Sequence, residues 1–178
     1  MASRDTSLED EIEFLQSFYP SEEEFSWDAN NRHGSVCVTI EADGGLDVSV
    51  QWNSYPLEGH IRAHVLYLPP VTLSFSLPHG YPHSCPPTYT LRSNWLNFIS
   101  LSQLCKKLDE MWVEGQVVLY DWIQFISAES LDYLSIRSPY VIDVLDPSIV
   151  PLDVWDERAI QDISHLAKHT QHLSLIHI

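Results

Sequence analysis

The segment that decides the fold is Pro78-His79-Gly80-Tyr81-Pro82-His83-Ser84-Cys85-Pro86-Pro87, which separates two runs of alternating apolar residues. Its four prolines fix φ and remove amide donors, and Gly80 frees a turn, so the segment predicts neither helix nor strand. The Tyr81-Pro82 step and the double proline Pro86-Pro87 favour consecutive turns, with the tyrosine ring packed beneath them. We interpret Tyr81, Pro82, Pro86 and Pro87 as a structural motif, because rigid loops of this kind rarely carry chemistry themselves.

Three alternating runs precede this loop and a shorter one follows it. The runs cover residues 36–40, 46–52, 71–77 and 89–91. Between the first two, Asp43-Gly44-Gly45 supplies residues that accept positive φ, which predicts a hairpin there. Pro69-Pro70 lacks two amide donors and therefore cannot lie in a fully paired part of the third strand. The short connections predict an antiparallel sheet of four strands.

The first helix is marked by an apolar stripe near the start of the chain. The stripe consists of Leu8, Ile12, Leu15 and Tyr19, which recur at helical spacing. Thr6 and Glu9 have capping-box spacing, so Thr6 is the expected N-cap, and Pro20 is expected to end the helix. Asp10, Glu11 and Glu13 fall mostly on the side opposite the stripe, where we expect them to face solvent.

Two more helices are predicted after the strands. Ser100 and Gln103 have capping-box spacing, and they stand at the start of an apolar stripe several turns long. That stripe consists of Leu101, Leu104, Cys105, Leu108, Met111 and Trp112. A break at Glu114-Gly115 precedes a more apolar segment, residues 117–126, which indicates a helix partly buried on more than one side.

The order of helix, four strands and two helices, without βαβ alternation, indicates an α+β fold with helices on one face of an antiparallel meander. This domain is expected to cover residues 1–136. We interpret residues 137–152 as an acidic, proline-containing linker and residues 153–172 as a short amphipathic helix. Residues 173–178 break the pattern of that helix, and their back-translation resembles a sequencing-library adapter, so we expect them to be an artefact.

The composition fits a packed globular domain with a strong excess of acid. Of 178 residues, 44% are hydrophobic, and 9 Lys and Arg stand against 25 Asp and Glu, for a net charge of −16. Half of that excess, −8, lies in residues 1–30, which contain one base and nine acids. Such a surface repels phosphate backbones and anionic lipid heads, which argues against nucleic-acid and membrane partners. The expected partners are proteins that offer a basic or an apolar docking face.

Nothing in the sequence predicts catalytic residues, a metal centre or a cofactor. The cysteines are Cys37, Cys85 and Cys105. They are scattered, without a C-x-x-C pair, which favours free thiols in a reducing compartment. His165, His169 and His172 could share one side of a helix, but a solvated polar face is the better interpretation because no further ligand is placed beside them. The first residues lack the pattern of a secretory signal, and no apolar run is long enough to span a membrane, so we expect a cytoplasmic or nuclear location.

The loop motif and its surroundings resemble the RWD domain family. The pattern Tyr-Pro-x-x-x-Pro-Pro at residues 81–87 follows a strand in the same order of elements, and that family shares its sheet with ubiquitin-conjugating enzymes. Further segments resemble the N-terminal RWD domain of RING-between-RING ubiquitin ligases, namely Leu68-Pro69-Pro70-Val71, Trp122-Ile123-Gln124-Phe125 and Leu134-x-Ile136-x-Ser138-Pro139. The resemblance implies a docking module that recruits proteins for ubiquitination. Catalysis would belong to zinc-binding RING modules, through which the parent ligase would engage ubiquitin-conjugating enzymes and for which this chain has too few cysteines.

Two other functions stay open on the sequence. One is a free-standing RWD adaptor in translation-stress signalling, and the other is an inactive relative of ubiquitin-conjugating enzymes that holds ubiquitin. An active conjugating enzyme is excluded, because the His-Pro-Asn step that lies upstream of the nucleophile in that family is missing. For docking we expect an acidic region that steers a basic partner, together with one aromatic anchor. The residues concerned are Glu9, Glu13, Glu22, Glu23, Glu24 and Trp27.

Overall fold

The computed structural model describes residues 6–54 and 57–144 and shows a sheet of five strands with helices against it. The strands are β1 (Phe25–Asp28), β2 (His33–Ser54), β3 (Leu57–Ser76), β4 (Thr88–Arg92) and β5 (Tyr140–Val144). The helices are α1 (Thr6–Phe18), α2 (Phe98–Met111), α3 (Leu119–Gln124), a π-helical segment (Phe125–Glu129) and α4 (Ser130–Tyr133).

Four of the strands form an antiparallel meander in the order β1-β2-β3-β4. Pairing between β2 and β3 extends from His33 opposite Ser76 to Ser54 opposite Leu57. β5 pairs in parallel with the second half of β2, on the edge that β1 occupies nearer the start of that strand. The predicted α+β fold with a four-stranded antiparallel meander is confirmed, and a fifth, parallel strand is added to it.

The predicted hairpin at Asp43-Gly44-Gly45 is wrong. Residues 33–54 form one strand, and the two glycines lie in an irregularity of pairing between Glu41 and Leu46. Gly44 and Gly45 have φ of +75° and +86°, so they do provide the positive φ that the pattern indicated. The backbone uses this freedom for a bulge rather than a reversal, because β3 continues to pair on both sides of it.

Two strands lie where the sequence predicted none. β1 falls in the acidic stretch after the first helix, and its four residues are too few to show an alternation. β5 falls inside the predicted linker, so residues 140–144 belong to the sheet and the linker prediction is wrong there. The prediction for Pro69-Pro70 is confirmed, since these residues lie between the paired Leu68 and Val71 at a second irregularity. The predictions for residues 145–178 lie outside the described residues.

Apolar periodicity locates the helices well and their first residues less well. α1 buries the leucines and the isoleucine of the predicted stripe and ends before Pro20. α1 begins at Thr6, and the prediction that Thr6 is its N-cap lies at the limit of the described residues. In α2 the cap is Asn97, whose side chain accepts a hydrogen bond from the amide of Ser100 at 2.8 Å, so Ser100 lies in the first turn. The third predicted helix is present as α3, the π-helical segment and α4 in direct succession.

One hydrophobic core lies between the helices and the inner face of the sheet. Alternate strand residues point into it, among them Val36, Val38, Ile40, Val71, Leu73 and Phe75. Trp122 of α3 is fully buried, lies 4.6 Å from the ring of Tyr89 on β4 and donates its indole hydrogen to the carbonyl of Leu108 on α2 at 2.9 Å. α3 therefore links the sheet to α2 through the side chain of Trp122.

Candidate functional site

The proline loop between β3 and β4 is a compact, anchored segment. Tyr81, Pro82 and Pro87 are buried, whereas Pro86 is exposed, and the Tyr81-Pro82 peptide bond is cis. The carbonyl of Pro82 accepts a hydrogen bond from the amide of Gly115, which lies between α2 and α3, at 2.9 Å. The loop is thereby held against the helical layer.

A buried hydrogen-bond network connects this loop to α1 and α3. The Tyr81 hydroxyl donates to Oε2 of Glu11 at 2.8 Å and accepts from the amide of Val118 at 2.8 Å. The other carboxylate oxygen of Glu11 accepts from the amide of Leu119 at 2.7 Å. Glu11 is only 6% exposed, so the expectation that it faces solvent is wrong. One carboxylate thus joins the first helix, the motif loop and the start of α3.

The electrostatic state of the network follows from its burial. Burial raises the pKa of Glu11 above its usual value, and hydrogen bonds from Tyr81 and from the amides of Leu119 and Tyr120 partly oppose this rise. Burial also raises the pKa of Tyr81, and the nearby Glu11 raises it further, so the hydroxyl stays protonated and remains a donor. Burial and the neighbouring groups account for both pKa shifts, and we interpret the network as structural.

The glutamates singled out from the sequence are exposed, whereas Trp27 packs against the core. Glu9 and Glu13 lie four residues apart on one side of α1, and the other three follow in the turn before β1. Trp27 is half-buried on the inner side of β1, with its ring stacked 6.0 Å from that of Phe75. Gly34 lies between them, and a side chain there would collide with the Phe75 ring. The acidic residues are accessible to a partner, and most of Trp27 is not.

A cluster of exposed aromatic side chains on α1 and α3 was not predicted from the sequence. Phe14 is 47% exposed, Phe18 is 55% exposed and Tyr120 is 38% exposed. The ring centroids of Phe14 and Phe18 lie 6.3 Å apart, and those of Phe14 and Tyr120 lie 5.2 Å apart in an edge-to-face arrangement. A usable signal was the spacing of Phe14 and Phe18 by four residues beside the buried stripe, which leaves two rings outside the core. We call Phe14, Phe18 and Tyr120 the aromatic patch.

The three thiols and the metal-binding side chains show no reactive grouping. Cys37, Cys85 and Cys105 are all half-buried and free. Burial raises the pKa of Cys105, which disfavours the thiolate that a nucleophile requires. Within residues 6–54 and 57–144, no three histidine, cysteine or acidic side chains are grouped as metal ligands. In the same part of the chain, no helix combines the length and the apolar character needed to span a bilayer.

Comparison with known proteins gives a consistent set of relatives. The family model of the RWD domain matches residues 6–130. The E3 ubiquitin-protein ligase RNF14 of Homo sapiens is 32% identical over 97% of this chain and 42% of its own length, and that of Danio rerio is 37% identical over 80% and 30%. The E3 ubiquitin-protein ligase itt1 of Schizosaccharomyces pombe is 31% identical over 66% of this chain and 26% of its own length. The chain therefore spans less than half the length of these relatives. No solved structure matches it significantly.

Proposed function

The chain belongs to the RWD domain family, and on that premise we propose that it is a non-catalytic docking module that recruits proteins to a RING-between-RING ubiquitin ligase for ubiquitination. RWD domains are protein–protein interaction modules, and this one is similar to the N-terminal region of ligases named RNF14. That similarity, which extends along most of the chain, is the observation that carries the proposal. Transfer of ubiquitin would then belong to other modules of the ligase, with zinc bound only there.

The acidic side of α1 is the docking face that we propose. Glu9 and Glu13 project from the same side of this helix, and Glu22, Glu23 and Glu24 extend the charge beyond its end. Residues 5–31 contain no Lys or Arg, so nothing basic in this segment neutralises them. Clustered exposed carboxylates accelerate the approach of a basic protein and exclude acidic ones, and they add modestly to affinity.

The state of the thiols supports a non-catalytic role. A conjugating enzyme needs an exposed thiolate beside an oxyanion donor. Cys105 lies on α2 with its pKa raised by burial, and Cys37 on β2 and Cys85 in the proline loop are half-buried. We further propose that the chain binds no cofactor and acts in the cytoplasm, the nucleus or both.

Charge reversal on α1 tests the proposed face. The variant Glu9→Lys/Glu13→Lys is compared with Glu110→Lys/Glu114→Lys, which changes net charge equally at exposed positions on and after α2. Captured proteins are quantified at low salt for both variants and for the wild type. We expect partners to lose about tenfold or more in affinity for the α1 variant alone, since long-range attraction is strongest at low salt. Equal capture by the two variants would contradict the proposed face.

A ubiquitin titration followed by NMR separates docking from the alternative of a ubiquitin-holding relative of conjugating enzymes. Under the proposal, free ubiquitin produces no saturable change in the amide spectrum of the full chain. The partners captured above should also show lower ubiquitination in cells when the isolated chain is overexpressed, because it competes with the intact ligase for them. Saturable ubiquitin binding, or unchanged ubiquitination of those partners, would count against the recruiting role.

A further inference from the structure

The aromatic patch is an exposed apolar surface formed by two separate elements. Phe14 and Phe18 are one helical turn apart on α1, and Tyr120 lies at the start of α3 with its ring against the edge of Phe14. Each ring keeps more than a third of its surface in solvent. Single exposed apolar residues are ordinary on protein surfaces, whereas contiguous large ones mark interaction sites.

The patch is held rigidly, because the buried network fixes the two helices to each other. Glu11 lies one turn before Phe14 on α1 and accepts hydrogen bonds from the amides at the start of α3, including that of Leu119 next to Tyr120. The rings also have only two rotatable side-chain bonds each, fewer than long charged side chains. A preorganised aromatic surface loses little conformational entropy on binding, which is a property of binding hot spots.

The charged residues next to the patch in the sequence are acidic. Asp10 lies one turn before Phe14 on α1, and Asp121 follows Tyr120 directly; both are exposed. Burial raises the pKa of Tyr19 and the nearby Glu24 raises it further, which places Glu24 close to Tyr19, whose ring lies against Phe18. Neither residues 5–31 nor residues 108–136 contain a Lys or Arg. An acidic rim around aromatic rings complements a partner that carries positive charge beside apolar side chains.

We propose that the aromatic patch, with Asp10 and Asp121 beside it, is an apolar docking anchor on a different flank of α1 from Glu9 and Glu13, and that its occupant is a basic amphipathic helix of a partner protein; this inference rests on the function proposed above. Apolar residues spaced at i, i+3 or i+4 and i+7 on such a helix would cover the three rings. Flanking Lys and Arg would meet Asp10 and Asp121, and they can also stack on the exposed ring faces. A membrane surface is a poorer occupant because its anionic headgroups would be repelled by Asp10 and Asp121. A second copy of the chain is also a poorer occupant because it would bring its own acidic residues against these two.

Titration with a defined peptide tests the inference. The probe is a synthetic amphipathic helix of about five turns, with leucines along one face and Lys and Arg elsewhere. A second peptide keeps the leucines and replaces every base by Glu. Both are titrated into the full chain and followed by NMR. We expect the basic peptide to perturb the amides around Phe14, Phe18 and Tyr120, and the acidic peptide to leave them unchanged.

Matched variants separate the aromatic anchor from the charge. Phe14→Gln/Phe18→Gln keeps good helix propensity and removes two rings of the patch, and Phe98→Gln removes a ring that is 82% exposed at the start of α2. We expect the first variant to weaken binding of the basic peptide at least tenfold and the control to leave it unchanged. Should the double variant fail to fold, Phe18→Gln alone, at the most exposed of the three rings, gives the same comparison.

The outcomes distinguish failure of the inference from failure of the proposed function. Equal binding by the wild type and the aromatic variants, together with loss in Glu9→Lys/Glu13→Lys, would overturn the anchor and leave acidic docking intact. Absence of any peptide binding would also overturn the anchor. A dimer in light scattering that Phe14→Gln/Phe18→Gln converts to a monomer would show that the occupant is a second copy, which overturns it as well. Loss of the function itself is reported separately by the ubiquitination of captured partners.

Discussion

Replacing Tyr81 by Phe removes one hydroxyl at the centre of the buried network and leaves two groups without their partner. These are Oε2 of Glu11 and the amide of Val118, each now 2.8 Å from the hydroxyl oxygen. A buried donor or acceptor left unpaired costs about 1–3 kcal/mol, and more if charged. Glu11 keeps its hydrogen bond from Leu119 and the ring of Phe preserves the packing. We therefore expect Tyr81→Phe to lower the free energy of unfolding by about 2–4 kcal/mol.

Urea unfolding followed by tryptophan fluorescence measures this loss, and an unchanged m-value shows that the unfolded state is the same. The control is Tyr133→Phe, because the Tyr133 ring is 42% exposed and its hydroxyl makes only a 3.4 Å contact with the carbonyl of Gln103. We expect that variant to change stability by less than about 0.5 kcal/mol. Equal small losses in both variants would refute the account of a buried, fully used hydroxyl.

A double-mutant cycle tests whether the loss arises in the network. In a Glu11→Leu background the carboxylate is already gone, so removal of the Tyr81 hydroxyl leaves only the amide of Val118 without its partner. The effect of Tyr81→Phe should then fall to about half of its value in the wild type, which gives a coupling energy of about 1–2 kcal/mol. Strictly additive effects would mean that Tyr81 and Glu11 stabilise the fold independently, against the geometry described here.

Three further predictions concern single sites. Because burial raises the pKa of Glu11 in the folded state, the contribution of Glu11 to stability is fully present below its ordinary pKa and is lost as pH rises through the raised value. The difference in free energy of unfolding between the wild type and Glu11→Gln should therefore fall over that pH window. A difference that stays flat with pH would contradict the raised pKa. Asn97→Ala should cost about 1 kcal/mol in urea unfolding through loss of the α2 cap, whereas Ser100→Ala should be close to neutral. Gly45→Ala should cost about 1–2 kcal/mol in the same assay, because φ is +86° and the new methyl would meet the His64 ring; a neutral effect would contradict the bulge geometry.

Local patterns predicted the parts of the fold that local forces decide. The apolar stripe of α1 and the stripe of α2 each match the face that packs on the sheet, since helical periodicity depends only on neighbours within a few residues. The glycines at 44 and 45 have the predicted positive φ, but whether such residues reverse a chain or bulge within a strand depends on the partner strand. β5 was missed for the same reason: Tyr140–Val144 is a strand because the free edge of β2 is there to receive it.

Sequence reasoning located the charge of the proposed docking surface but not its aromatic patch. The exposure of Glu9 and Glu13 can be expected because acidic residues outside an apolar stripe face solvent in most helices, and that of Glu22, Glu23 and Glu24 because they follow the helix in an acidic loop. Phe14 and Phe18 lie outside the same stripe, and nothing in α1 itself shows that they meet Tyr120, which is supplied by a helix more than a hundred residues later. The sequence also does not show which way Trp27 faces, since an aromatic ring on a short edge strand can face the core as well as the solvent; here it stacks on Phe75.

Glu11 shows why the site could not be completed from local rules. Apolar periodicity alone does not separate Glu11 from Glu9 and Glu13. Glu11 differs because it is hydrogen-bonded to the hydroxyl of Tyr81, 70 residues away, and to the amide of Leu119, 108 residues away. A buried carboxylate is unfavourable unless such partners are in place, so the burial of Glu11 depends on contacts from distant parts of the fold and not on α1 alone. The same contacts set the angle at which α1 presents its glutamates and its two phenylalanines beside Tyr120. Sequence rules therefore fail at the contact on which the shape of the proposed docking surface depends, because that contact is made by residues far apart in the chain.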